Sequence, residues 1–258
     1  MKKFLNRIYW LLAIQFGFDY RRFVRSLKGV PRFVAGWLHF RSGYEGKMAF
    51  YPCLYDWREQ AGATDDEYFW QDLHVARKIF AAGPKKHVDV GSRIDGFVAH
   101  VASFREVEVF DIRPLSSKVP GITFRRADMT NPLNSFHDYC DSLSCLHSLE
   151  HFGLGRYGDP VDPDGYRTGL LNMAKIVRRG GLFYLSVPAG IERVEFNAHR
   201  IFDPRRLAEL ALSHGLELKE IAYMGDGGAI IETSDPKPAL EEIGGRPYAL
   251  CIFTFLRR

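Results

Sequence analysis

The stretch HVDVGSRIDG, residues 87–96, decides the fold because it joins a predicted strand to a predicted helix through a glycine-containing turn. HVDV predicts a short strand that ends at Gly91, and a helix is expected after Gly96. A loop that binds a dinucleotide needs bare backbone beside the pyrophosphate, hence the pattern G-x-G-x-x-G. Arg93 and Asp95 stand inside this loop instead. The stretch therefore argues against a dinucleotide, since a cofactor without phosphate groups does not require that bare backbone.

Helix and strand patterns alternate on both sides of this stretch. Before it, a helix that ends near Ala82 is predicted by apolar residues at helical spacing, Phe69, Leu73, Ala76 and Phe80. After it, strands are predicted over residues 106–111, 122–128, 142–147, 182–188, 216–223 and 248–256, and helices over 97–104, about 164–178 and 204–215. Residues 224–247 read as a loop with a weak helical pattern.

Strands separated by helices predict an α/β fold with a mostly parallel sheet. We expect a Rossmann-like doubly wound sheet of about seven strands, with an antiparallel pair at one edge and helices on both faces. Ligands bind such sheets beyond the carboxyl ends of the strands. The residues directly after each strand are therefore the candidates for a site.

The charge of the chain is unevenly distributed. Residues 1–43 carry nine Lys and Arg against Asp19 alone, a net charge of +8, and the remainder carries −4. The apolar run within them, residues 8–18, is shorter than the ~20 residues that cross a bilayer. We expect a basic, aromatic-rich, helical extension over residues 1–45 and a main domain over residues 46–258.

Two interpretations of this extension stay open. It could lie on an anionic membrane surface, or it could pack on its own domain or on a second subunit of a homo-oligomer. Nucleic acid is not expected as a partner, because the acidic remainder of the chain would repel phosphate. No signal-peptide cleavage site follows the apolar run, and the four cysteines (Cys53, Cys140, Cys145 and Cys251) show no CxxC spacing. We expect a cytoplasmic protein that is peripheral at the inner membrane if the extension binds lipid.

Two acidic residues follow neighbouring strands. Asp111 ends the second predicted strand 20 residues after Gly91, the spacing at which a carboxylate accepts hydrogen bonds from a ribose diol. Asp128 ends the third strand, where a carboxylate could accept from the amino group of adenine. Such acids also cap helices, so either one alone is weak support for a nucleoside site.

These motifs resemble those of class I S-adenosylmethionine-dependent methyltransferases over about residues 60–258. VDVGSRIDGF stands at the family's glycine loop, VFD at its ribose acid, RRADM at its adenine acid, and LEH after its fourth strand. VDVGSRIDGF, LHSLEHFGLGRYGDPVDPDG and NAHRIFDP together resemble a bacterial subgroup associated with surface-polysaccharide genes. The resemblance implies S-adenosylmethionine as cofactor and S-adenosylhomocysteine as product. The cofactor-binding residues that it implies are Asp89, Gly91, Ser92, Arg93, Gly96, Asp111, Asp128, Met129 and His147.

The segment after the fourth strand, residues 147–160, lies where a methyl acceptor would face the cofactor. It holds His147 and His151, which on a helical turn would share a face with Glu150 beside them. His is the natural general base near neutral pH. The candidate catalytic residues are His147, Glu150, His151 and His199. The candidate substrate-binding residues are Arg156, Tyr157, Asp159 and Asn197.

Each of these candidates has a simpler interpretation. His151 could only hydrogen-bond the cofactor loop, residues 155–160 could be a rigid connector, and His199 could brace the following helix. Arg93 and Asp95 could merely form an ion pair across their loop. A divalent metal could use Glu150 and a histidine, but no metal is expected.

The leading hypothesis is an O-methyltransferase that acts on a sugar hydroxyl of a bacterial surface glycan or of its lipid-linked precursor. The alternative is a catalytically degenerate methyltransferase fold that serves as an assembly or membrane-docking subunit. A dehydrogenase or another nucleotide-sugar enzyme is a third possibility, against which the missing G-x-G-x-x-G and the lack of a second substrate domain argue.

Overall fold

The computed structural model describes residues 8–59, 61–62, 64, 66–131, 135–225 and 228–258. The chain forms two compact units, Met1–Ala63 and Thr64–Arg258. Lys2, Lys3 and Arg7 of the basic extension lie outside the described residues. Within the described part of the chain, no helix has the length and apolar character needed to cross a membrane.

A long helix dominates the first unit. Helix α1 spans Tyr20–Gly43, and it follows a π-helical turn at Leu11–Gln15. Asp19 is its N-cap residue, because the carboxylate accepts from the backbone N–H groups of Arg21 and Arg22.

The second unit is built on a large sheet. In chain order its strands are β1 (His87–Val90), β2 (Val107–Asp111), β3 (Ile122–Arg126), β4 (Cys140–Leu146), β5 (Val177–Ala189), β6 (Arg193–Glu195), β7 (His199–Ile201), β8 (Leu216–Met224), β9 (Ile230–Thr233) and β10 (Ala249–Arg257). Among the described residues, eight strands form one sheet in the order β3-β2-β1-β4-β5-β10-β8-β9, and β6 pairs with β7 separately. Strands β1 to β5 are parallel to one another, which brings the carboxyl ends of β1, β2 and β4 together.

The far edge of the sheet is antiparallel. Strand β10 runs antiparallel to both β5 and β8, and β9 runs antiparallel to β8. The predicted mostly parallel sheet with an antiparallel edge is confirmed. The predicted count of about seven was one short, because residues 224–247 contain β9 and a helix rather than a loop.

Helices cover both faces of the sheet. They are α2 (Glu67–Ala82), α3 (Ala99–Ala102, after a π-helical turn at Ile94–Val98), α4 (Gly165–Ile176), α5 (Pro204–Ser213) and α6 (Pro236–Gly244). One buried cluster joins the sheet to α4, α5 and α6, through Leu170, Leu207 and Ile243. A second cluster joins it to α2 and α3, through Val75, Ile79 and Val101. The two clusters confirm the doubly wound, Rossmann-like architecture.

The apolar residues whose spacing predicted α2 do not define its buried face. Phe80 is 69% exposed and packs edge-to-face against Phe104. The buried face instead holds Gln71, Asp72, Val75, Ala76 and Ile79. Spacing could not distinguish the two faces, because both repeat every three or four residues. The observed orientation turns polar side chains of α2 toward the carboxyl ends of the strands.

Candidate functional site

A cavity of about 800 Å³ lies at the carboxyl ends of β1, β2 and β4. This volume is ordinary for a small-molecule site. The residues selected from the sequence that line it are Gly91, Ser92, Arg93, Asp111, Asp128, Met129, His147, Glu150, His151, Arg156, Tyr157, Asp159 and His199. Asp89, Gly96 and Asn197 are not among the residues that line this cavity.

The turn after β1 depends on glycine. Gly91 has a φ of +72°, and a Cβ there would lie 2.1 Å from Ser148 Oγ. Asp89 is fully buried behind the turn. Its carboxylate accepts from Ser92 N–H at 3.0 Å, Ser92 Oγ at 2.7 Å and Ser144 Oγ at 2.6 Å. Burial raises the pKa of Asp89 to about 6. Asp89, predicted to bind the cofactor, therefore holds the turn in shape from outside the cavity.

The two residues that replace glycines in this loop pair with each other. Arg93 Nε and Nη2 donate to Asp95 Oδ1 and Oδ2 at 3.1 and 2.8 Å, and both side chains are exposed. The hydrogen bonds from Arg93 hold the pKa of Asp95 below its usual range. A Cβ on Gly96 would lie 2.9 Å from Asp72 Oδ2, so this glycine permits close packing against α2.

The carboxylate at the end of β2 is held by an arginine that the sequence analysis did not select. Arg113 Nε donates to Asp111 Oδ1 at 3.0 Å, and Nη2 donates to Oδ2 at 2.5 Å. Nη2 also donates to the carbonyl of Gly91 at 3.1 Å. The guanidinium carbon lies 4.9 Å from the ring centroid of Tyr157. Arg113 thus occupies the carboxylate lone pairs that a ribose diol would need.

Asp128 shapes the turn after β3. Its Oδ1 accepts from the N–H and hydroxyl of Thr130 at 2.8 and 2.7 Å, and Oδ2 accepts from Asn131 Nδ2 at 2.7 Å. A carboxylate accepts about four hydrogen bonds, so Asp128 can accept one more from a ligand. Met129 beside it is buried, and its carbonyl accepts from Asn172 Nδ2 at 2.9 Å.

Glu150 joins two histidines after β4. Its Oε1 lies 3.0 Å from His147 Nδ1 and 3.7 Å from His151 Nε2. The predicted shared helical face is wrong, because His147 has a φ of +47° and only Leu149–His151 form a 3-10 turn. The three side chains meet through the carboxylate instead.

The pair of His147 and Glu150 is almost wholly buried. Burial disfavours both charges, but their mutual attraction and hydrogen bond outweigh it. The pKa of His147 is consequently raised and that of Glu150 lowered. Among the described residues, His147 Nε2 and Glu150 Oε2 are buried without a hydrogen-bond partner. At the cavity wall, one nitrogen of His147 and one oxygen of Glu150 can therefore still form hydrogen bonds with a ligand.

The second histidine has different surroundings. Burial lowers the pKa of His151, which favours the neutral ring. Its Nδ1 lies 2.8 Å from the carbonyl of Ala198 and must carry the proton in that contact. Arg156 Nη1 donates to the same carbonyl at 2.8 Å. His151 thus anchors the loop after β4 to the segment before β7.

The remaining candidates divide between loop structure and cavity wall. The Asp159 carboxylate accepts from the N–H groups of Gly153, Gly155 and Tyr157 at 2.7, 3.3 and 3.2 Å, so it organises the loop. The guanidinium of Arg156 lies 5.1 Å from the ring centroid of Tyr157. His199 begins β7 and lines the cavity, with Nε2 3.8 Å from Glu195 Oε2.

Asn197 is exposed and lies outside the cavity, so its predicted contact with substrate has no support from its position.

Helix α2 supplies cavity residues that the sequence analysis missed: Glu67, Tyr68, Gln71 and Asp72. The ring of Tyr68 lies 4.7 Å from that of His147, and burial raises the pKa of Tyr68 to about 12. The sequence pattern that could have identified them is two adjacent pairs of polar residues, 67–68 and 71–72. The pairs are one helical turn apart and therefore lie on the same side of α2. For Arg113 the signal was its position two residues after the strand-end acid.

Within the described residues, no group of three or more His, Cys, Asp or Glu side chains is arranged to hold a metal ion. The four cysteines are free, with Cys53 exposed and the others buried.

One family matches part of the chain. Residues 115–228 match the family described as "Caenorhabditis protein of unknown function, DUF268". That description gives no support to the expected bacterial surface-polysaccharide subgroup. A comparison with curated proteins found no match.

Several solved structures have a similar chain path. One is the 1,6-didemethyltoxoflavin N1-methyltransferase of Burkholderia thailandensis with bound 1,6-didemethyltoxoflavin and S-adenosylhomocysteine, at 16% identity and a TM-score of 0.49, covering 75% of this chain and 80% of that one. A TehB-like S-adenosylmethionine-dependent methyltransferase of Corynebacterium glutamicum has 14% identity and a TM-score of 0.49, with coverages of 73% and 88%. The [4+2]-cyclase SpnF has 12% identity and a TM-score of 0.45, with coverages of 67% and 74%. The activities in these names belong to those proteins, and the fold assignment here rests on strand order and register.

Proposed function

We propose that this chain is an S-adenosylmethionine-dependent O-methyltransferase whose acceptor is a sugar hydroxyl of a surface glycan or its precursor. One observation carries the proposal. A single cavity joins a glycine turn and a strand-end carboxylate to a buried His–Glu pair with unpartnered polar atoms. The first half suits an adenosyl group, and the second half suits proton removal from a hydroxyl.

The residues present fit the adenosyl part of the cofactor. Asp111 would accept from the ribose hydroxyls once these displace Arg113, Asp128 would accept from the adenine amino group, and the backbone at Gly91 would lie against the ligand. No side chain could replace Gly91 without meeting Ser148. When bound, the cofactor supplies a methyl group on a positively charged sulfur. The chain itself must bind and orient the two reactants and accept a proton.

His147 is the base in this proposal. Its Nδ1 donates to Glu150, so the neutral ring presents an unprotonated Nε2, the atom without a partner among the described residues. The Glu150 carboxylate fixes this tautomer and stabilises the positive ring after proton transfer. His151 is less suited, because burial lowers its pKa and its Nδ1 proton is committed to Ala198.

The loop after β4 would hold the acceptor. Arg156 and Tyr157 line the cavity, and each keeps hydrogen-bond donors for sugar hydroxyls. Asp159 contributes by keeping this loop in shape rather than by contact. His199 completes the wall from β7.

Titration calorimetry with S-adenosylhomocysteine tests the cofactor site. Asp111→Asn should weaken binding at least tenfold, since the ribose loses a charged acceptor. Asp203→Asn is the matched control, because Asp203 forms the same two-residue pair with Arg205 and does not line the cavity. No measurable binding by the wild-type protein at millimolar ligand would overturn the proposal.

Turnover tests the reaction. The protein would be incubated with methyl-tritiated S-adenosylmethionine and a cell-envelope glycan extract, followed by acid hydrolysis and identification of O-methyl sugars. His147→Gln should lose label transfer while it keeps S-adenosylhomocysteine binding within a fewfold. Label found in protein or lipid amine instead of sugar would refute the acceptor class.

The ion pair of Asp111 and Arg113 favours a second candidate, a degenerate methyltransferase fold that acts as an assembly or docking subunit. In this candidate Arg113 permanently occupies the ribose carboxylate. The two candidates differ in the calorimetry, because a permanent pair predicts no cofactor binding by wild-type protein.

A further inference from the structure

Helix α1 has one face that its own unit covers. Gly29 is buried, and a Cβ there would lie 1.7 Å from the carbonyl oxygen of Leu54. Four residues along, Phe33 packs edge-to-face on Phe50 at 5.2 Å. The segment after α1 therefore folds back on this face.

The opposite face of α1 is apolar and uncovered. Apart from Val24 at its border, its residues recur at intervals of three or four, which places them in one stripe along the helix. Each is between 39% and 57% exposed: Phe23, Val24, Leu27, Val30, Val34 and Leu38. Three apolar residues that precede the helix, Ile14, Phe16 and Phe18, are exposed as well. A contiguous patch of this kind marks an interaction surface.

A basic stripe lies on another side of the same helix. Arg21, Arg25, Lys28 and Arg32 recur at intervals of four, three and four, and their mean direction is about 140° around the helix axis from that of the apolar stripe, with Lys28 next to Val24 at the border. Helix α1 contains six Lys and Arg and no Asp or Glu. A partner that covers both stripes must offer apolar contact and negative charge.

We propose that α1 lies in the headgroup region of an anionic membrane. Leu27, Val34 and Leu38 enter the acyl boundary, while Arg25 and Lys28 contact lipid phosphates. A second copy of this chain fits less well, because its α1 could cover the apolar stripe but offers no negative charge to the basic one. Nucleic acid offers phosphates but nothing that covers the apolar stripe. The proposal concerns the first unit and does not depend on the proposed function.

Vesicle co-sedimentation of the full-length protein tests the proposal. The vesicles are phosphatidylcholine alone, or phosphatidylcholine with about one quarter phosphatidylglycerol, at about 0.05 and 0.5 M NaCl. We expect binding to the anionic vesicles at low salt, with a clear decrease at high salt. Equal binding to both kinds of vesicle, or no binding at all, would overturn the proposal.

Paired variants separate the two stripes. Arg25→Gln with Lys28→Gln should weaken binding about 30-fold, since each basic residue contributes about one factor of five near the surface. Arg77→Gln with Arg179→Gln removes two exposed charges from the second unit and should leave binding unchanged.

Leu27→Gln with Leu38→Gln should weaken vesicle binding at least tenfold. Phe80→Gln, a change at a more exposed apolar residue of the second unit, is its control. Two further measurements distinguish the other occupants. A dimer in sedimentation velocity that Leu38→Gln dissociates, without vesicle binding, would assign the stripe to a second copy. Retardation of duplex DNA in place of vesicle binding would assign it to nucleic acid. S-adenosylhomocysteine binding should be the same in all these variants, so failure here is distinct from failure of the proposed function.

Discussion

Replacing Arg113 with alanine should strengthen the binding of S-adenosylhomocysteine. Both carboxylate oxygens of Asp111 accept from this guanidinium, so a ribose diol must displace it. The Asp111 side chain is 9% exposed and that of Arg113 is 40% exposed, so solvent screens the pair. A pair of this exposure contributes about 1 kcal/mol. In Arg113→Ala the ligand has no ion pair to displace, so this free energy is no longer lost on binding. The Kd should therefore be about fivefold lower.

The assay is titration calorimetry of the wild-type protein and Arg113→Ala in one buffer. Arg205→Ala is the control, because Arg205 pairs with Asp203 through the same atoms, at 41% and 14% exposure, and neither residue lines the cavity. Its Kd should equal that of the wild type. An Arg113→Ala variant that binds more weakly would refute displacement, and Arg113 would then be a residue that orients Asp111 for the ligand.

Two further predictions concern stability. Attraction to Glu150 raises the pKa of His147. The stabilisation that this ion pair gives to the fold is therefore present at low pH and is lost as the pH rises through the raised pKa of His147. Glu150→Gln should lower the free energy of unfolding, measured by urea unfolding, by about 3 kcal/mol near pH 6 but only about 1 kcal/mol near pH 9. An equal loss at both pH values would contradict this. Gly91→Ala should cost more than Gly83→Ala in thermal unfolding, because both glycines have positive φ but only Gly91 would also place a Cβ against Ser148; similar losses would show that the Ser148 side chain moves aside.

The positions of most strands along the chain could be predicted from the sequence. Short segments with apolar residues, bounded by glycine, proline and aspartate, indicated them, although β1 and β4 also bury polar residues such as Asp89 and Ser144. Strand β9 was missed because it is four residues long and lies at the sheet edge, where burial imposes no pattern. The buried face of α2 could not be predicted from spacing, because exposed aromatic residues repeat with the same spacing as the core residues.

The candidate site could be located but its pairings could not be predicted. Strand ends converge by topology, so Asp111 and His147 were expected at one edge of the sheet and are found there. Which side chains pair there depends on loop paths that spacing does not determine. Arg113 reaches back to Asp111 because the chain turns directly after β2. The sharp bend at His147 likewise brings its ring to Glu150 without an α-helix.

A crystal structure with S-adenosylhomocysteine tests the central claim most directly, namely that this cavity binds an adenosyl group beside the His–Glu pair. We expect the ribose hydroxyls on Asp111, the Arg113 guanidinium displaced from it, and the ligand sulfur on the side of the cavity that His147 lines. A nucleoside bound elsewhere, or an intact pair of Asp111 and Arg113 with no ligand in the cavity, would contradict the account.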